Sequence, residues 1–144
     1  MPEFATYLEP TQDSGRLLFE RGIEGPVTML NLLRFREVAD YSASPELASS
    51  TEISGRRAYE IYMNHTQPFL EAAGGELVFI GEGGSNFIGP SEERWDLVLL
   101  VKQSSLQSFI GMAQDAGYLA GLGHRTAALE DSRLLPIVNG ASYP

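Results

Sequence analysis

Residues 76–102 read ELVFIGEGGSNFIGPSEERWDLVLLVK. Two runs rich in Leu, Val, Ile and Phe, Glu76 to Gly83 and Arg94 to Lys102, flank the Gly- and Pro-bearing connection GSNFIGPSEE. This is the pattern of a β-hairpin. With the turn centred on Gly89, Val78 faces Leu100, Ile80 faces Val98, Glu82 faces Asp96, and Gly83 lies opposite Trp95; a slip of one residue would exchange the two faces. Both alternating sets are apolar: Leu77, Phe79, Leu97 and Leu99 on one side, Val78, Ile80, Val98 and Leu100 on the other. A sheet apolar on both faces does not leave one of them in water, so helices cover one and a second subunit or further helical segments cover the other. The expected arrangement is a two-fold homodimer, sheet to sheet.

Working outward, PVTMLNLLRF (26–35) is too short for an independent helix and reads as a buried strand, with Val27, Met29, Asn31, Leu33 and Phe35 on one face. Gly55 to Ala73 carries a helical period in Ala58, Tyr62, His65, Phe69 and Ala72; Gly74–Gly75 stops it, and Pro68 is expected to kink it. Between them, residues 37–54 lack an apolar period and read as a long loop, either a binding segment or an insertion. Thr11 caps a short lead-in helix ending at Gly22. Downstream, Ser104 or Ser105 caps a helix through Leu106, Phe109, Ile110 and Met112, and a second helical stretch starts near Gly117. Arg133 to Val138 reads as a last strand, held to a sheet edge or bulge by Pro136. The order is an N-terminal helix followed by β-α-β-β-α-β. That is an α+β, ferredoxin-like antiparallel sheet in a single domain over 1–144.

Composition excludes several classes. The 144 residues carry a net charge of −9, with Arg56–Arg57 the longest basic run, so a nucleic-acid backbone or an anionic membrane surface would be repelled. Cysteine is absent, which removes disulfides, thiolate metal sites and a cysteine nucleophile. The first ten residues, MPEFATYLEP, lack the basic and apolar regions of a secretory signal, and no apolar run is long enough to span a bilayer. The expected location is cytoplasmic.

The segments YLEPT, GPVTMLNLLRFREVADY, SGRRAYEIY, WDLVLL and AGYLAGLGHRTAALEDSRLLPI, taken in order, resemble the family known as domain of unknown function 1330, from Tyr7 to Ile137. That resemblance implies a dimeric α+β barrel, a group that includes cofactor-free monooxygenases, muconolactone-isomerase-like proteins and haem-dependent chlorite dismutases. It implies the dimer and supplies no reaction.

Several residues have both a functional and a structural reading. Asn31 sits in an apolar strand and needs a partner: a ligand, neighbouring backbone or a group across the dimer seam. Arg34 can pair with a substrate carboxylate or an acid at the sheet edge. Glu82 and Asp96, if directly opposed, repel; then either an arginine lies between them or one acid has a raised pKa suited to proton transfer. Tyr59, Tyr62, Trp95 and Tyr118 can line a pocket or fill the core, and Arg125 is a further binding candidate. His65 and His124 lack ligand-spaced companions, so no metal is expected; a haem would have to use one of them as its axial ligand. The glycines of GEGGSN have no GK[ST] and no following helix to make a phosphate loop.

The expected function is binding, without a cofactor, of a small, partly apolar organic molecule in a pocket between the sheet and its helices. It extends to monooxygenase- or isomerase-like chemistry on that molecule. The alternatives are a non-catalytic dimeric module and a haem-binding protein.

Overall fold

In the computed structural model, which describes residues 5–139, every second residue of the strand β1, Val27–Phe35, is buried, and the residues between are half-buried. The alternation follows from the two faces of the pleat. Val27, Met29, Leu33 and Phe35 point at the helices, while Leu30 and Leu32 point away. The rest of the chain supplies α1 (Gln12–Glu20), α2 (Gly55–Ala72), β2 (Glu76–Ser85), β3 (Arg94–Gln103), α3 (Leu106–Gln114), α4 (Ala116–Leu119), α5 (Leu122–Ala128) and β4 (Leu129–Ile137). The strands form one antiparallel sheet in the order β2-β3-β1-β4. This is the ferredoxin-like α+β arrangement read from the sequence. The ends of the 1–144 span, residues 1–4 and 140–144, lie outside the described residues.

Two apolar clusters fasten the helices to one sheet face. Leu33, Phe35, Leu97 and Leu99 pack with Ala58 and Tyr59 of α2 and with Ala128 and Leu129. Val27 and Met29 pack with Leu106 of α3, Leu18 of α1 and Phe109. Each fully buried Leu or Val side chain contributes about 1.5–3 kcal/mol relative to exposure. Helix ends are satisfied locally: the Thr11, Ser54 and Ser105 hydroxyls accept the N–H groups of Ser14, Arg57 and Ser108. Helix α2 continues through Pro68 and ends before Gly74, whose φ of 79° only glycine adopts without strain.

The opposite face stays open. No residue of β2 belongs to either cluster, and Leu77, Val78, Phe79 and Ile80 are each about half exposed. By register Phe79, Leu100, Leu30, Leu135 and Ile137 share the open face and leave an apolar sheet surface uncovered in the single chain, whereas Leu77 and Ile80 pair with Val101 and Leu99 on the helix-facing side and are exposed there.

Three sequence expectations are corrected. The hairpin register is right at its base, where Glu76 faces Lys102 and Leu77 faces Val101, but an irregularity between Leu77 and Phe79 shifts the rest. Phe79 therefore faces Leu100, Ile80 faces Leu99, Glu82 faces Leu97, and Gly84, not Gly83, faces Trp95. Strand β4 starts at Leu129 and not at Arg133. The stretch from Gly117 is two helices, because the Asp115 carboxylate caps α4 through the Gly117 and Tyr118 N–H groups and Gly121 separates it from α5. The 37–54 segment is a loop, as read from the sequence; it holds a 3-10 turn, Pro45–Leu47, and is bonded to the body through Asp40 N–H to the Ala127 carbonyl (2.9 Å).

Candidate functional site

The one tryptophan of the chain, Trp95, lies at the start of β3 and is buried. It forms part of the floor of a cleft of about 480 Å³ with Leu32, Val98, Gly83 and Gly84, under the hairpin connection Asn86–Gly89 and Glu93. The volume falls within the usual range for small-molecule sites. The glycine run makes room for it. A Cβ on Gly83 would collide with the Trp95 carbonyl oxygen, so the backbones approach as closely as they do only because no side chain stands there. These glycines thus shape an apolar trough and not a phosphate loop.

Polar groups mark two sides of Trp95. The Arg133 guanidinium lies 5.0 Å from the Trp95 ring centroid and 4.9 Å from that of Tyr7, a cation–π contact to each. Asp131 Oδ1 accepts from the same guanidinium at 2.7 Å. At the loop side, Asn86 Nδ2 donates to Glu93 Oε2 (3.2 Å) and to the Pro90 carbonyl (3.3 Å). Arg133, Glu93 and Asn86 were not legible as site residues, since they fall near Trp95 only after the hairpin folds and β4 joins the opposite edge.

The other sequence candidates separate into groups. Tyr59, Tyr62 and Tyr118 form an aromatic chain on the helical side, with centroids 5.2 and 6.1 Å apart and a 2.7 Å hydrogen bond between the Tyr62 and Tyr118 hydroxyls. Burial pushes the Tyr59 and Tyr118 hydroxyls far above the ordinary tyrosine pKa, so both stay neutral. Arg125 donates to the Leu8 carbonyl (2.7 Å) and to Ser132 Oγ (3.3 Å), fastening the N-terminal segment to β4. Asn31 Nδ2 donates to the Met29 carbonyl (3.1 Å), the backbone alternative for its partner. Arg34 meets Glu130 (3.4 Å) and Asp131 (3.9 Å). The cleft is lined by Trp95 but by neither Asn31 nor Tyr118, and Leu32 and Val98 place it on the open face of the sheet.

The expected Glu82/Asp96 pair does not exist. Glu82 faces Leu97 and pairs with Arg56 at 3.3 Å. Burial pushes the Asp96 carboxyl up, but the Arg94 guanidinium at 2.9 Å and the Phe35 N–H outweigh it and hold Asp96 below the usual carboxylate range. A raised pKa suited to acid catalysis is absent there.

His65 Nε2 meets the Gly117 carbonyl at 2.8 Å, and His124 Nδ1 meets the Tyr41 hydroxyl at 2.7 Å. Burial and the neighbouring His65 hold His124 below the ordinary imidazole range. Among the described residues no three His, Asp or Glu side chains converge as a metal site. No helix among them is long and apolar enough to cross a membrane.

No protein-family model matches the sequence, and no curated protein does. Among solved structures, the chain is similar to RPA0582, a protein of unknown function from Rhodopseudomonas palustris, at 33% identity over 96% of this chain and 100% of that one, with a TM-score of 0.80. The methylated form of RPA0582 gives 33% identity, coverage of 96% and 98%, and a TM-score of 0.82. A more distant likeness in fold alone is to SnoaB, a cofactor-independent oxygenase from Streptomyces nogalater, at 12% identity, coverage of 84% and 99%, and a TM-score of 0.51.

Proposed function

The chain belongs to the same family as RPA0582 of Rhodopseudomonas palustris, and from that premise we propose that it is a homodimeric binding protein for a small, partly apolar organic molecule. The Trp95 cleft at the margin of the bare sheet face carries this reading. An apolar floor of Leu32, Val98 and Trp95 contributes affinity by dehydration, and the few polar groups at the loop orient the guest. The cleft is open in the single chain. A second copy laid on Leu30, Leu32, Val98 and Leu100 would cover the exposed apolar surface and roof the cleft at the same time. Cofactor-free oxidation or isomerisation of the bound molecule fits the same cavity, with no proton-transfer residue assigned, since Asp96 is held as a stable carboxylate.

The test is a thermal-shift screen against a metabolite library, read together with Trp95 fluorescence and native mass spectrometry. A ligand at one hundred times its Kd adds about 2.7 kcal/mol of stability, enough to move the melting temperature visibly. The expected hits raise the melting temperature of a dimer and alter Trp95 emission. Hits that leave the emission unchanged, or a protein that is monomeric throughout, would overturn the reading.

A further inference from the structure

We propose that the Trp95 cleft selects molecules that carry an apolar body and a cationic, hydrogen-bond-donating head, such as an arylalkylamine, and discriminates against the matching carboxylates. This rests on the binding reading above and names its ligand class. Among the described residues Glu93 is the only charged one lining the cleft, and it is half-buried. Its Oε2 accepts from Asn86 Nδ2 at 3.2 Å, which fixes the carboxylate at the loop end of the trough. No arginine or lysine forms an ion pair with it among the described residues. An apolar guest lying along Leu32, Val98 and Trp95 therefore meets an acceptor-only anion at one end.

Arg133 is a cation beside the cleft floor, its guanidinium 5.0 Å from the Trp95 ring centroid. It does not line the cleft, and Asp131 already accepts from it at 2.7 Å, as does the Ser132 carbonyl at 2.8 Å. Asp131 offsets part of that charge. The net charge of −9 acts in the same direction, raising the local concentration of cations and lowering that of anions.

The experiment titrates Trp95 fluorescence of the full-length protein with three probes of matched size: 3-phenylpropylamine, 3-phenylpropanol and 3-phenylpropionate. It is repeated on Glu93→Gln, with circular dichroism and melting temperature confirming that the variant is folded. The amine is expected to bind about tenfold more tightly than the carboxylate at neutral pH and low salt, with the alcohol between them. In Glu93→Gln the three affinities should converge. A carboxylate that binds as well as the amine, or a preference that survives Glu93→Gln, overturns the ligand class while leaving the cleft as a binding site. If no probe changes Trp95 emission while library hits do, the class falls alone; if nothing changes it, the binding reading falls too.

Discussion

Asp96 Oδ2 accepts the backbone N–H of Phe35 at 2.9 Å, fastening β3 to the far end of β1 where their ladder has already stopped. Removing the acceptor leaves that N–H without its partner in a half-buried place. Asp96→Ala should cost about 1–3 kcal/mol in urea unfolding, and Asp96→Asn less, because its amide oxygen can still accept.

Stability should decline on acidification in two steps. His124 has a folded pKa below its unfolded value, so protons bind the unfolded chain more readily; its contribution is complete above pH 6.5 or so and is lost as pH falls from there. Asp96 is likewise depressed, so its contribution is present above the ordinary carboxylate range and disappears as pH drops through its folded pKa. Denaturation midpoints measured against pH should show both steps, and His124→Gln should remove the upper one alone.

The Tyr62 and Tyr118 hydroxyls satisfy each other. Either single change to Phe should destabilise by about 1–3 kcal/mol, because one polar oxygen stays behind without its partner, whereas the double change should cost less than the two singles summed. Strict additivity in the double-mutant cycle would show that the pair is not coupled.

Leu100→Lys puts a charge on the open sheet face, opposite Phe79 and Leu30. The expected result is a folded monomer by native mass spectrometry at concentrations where the parent is dimeric. Leu119→Lys, also on an exposed site but on the helical side, should leave the dimer intact.

The strands of this fold were legible because Leu, Val and Ile alternate in them with little interruption. The irregularity after Leu77 was not, since nothing in LVFI distinguishes a residue that stands out of the ladder from its neighbours. Strand β4 began early for a related reason. Glu130, Asp131 and Ser132 look like a polar turn, but Asp131 is buried with its oxygen taken by Tyr7 and Arg133, partners far away in sequence or reached only after folding. The same distance hid the site. Trp95 was conspicuous by composition, but the company it keeps depends on a hairpin turn whose centre falls between Gly89 and Pro90, and the misplaced centre created an acid pair that is not there.

The Tyr7 N–H donates to Asp131, the Tyr7 carbonyl accepts from Ser132, and Arg125 holds the Leu8 carbonyl. The two sides of this seam stand 124 residues apart, so it cannot be sewn until residue 132 has left the ribosome, and closing so long a loop carries an entropy cost that local pairs avoid. Trimming the residues before Thr11 should therefore loosen the last strand more than the first, and a protease would find its earliest purchase there.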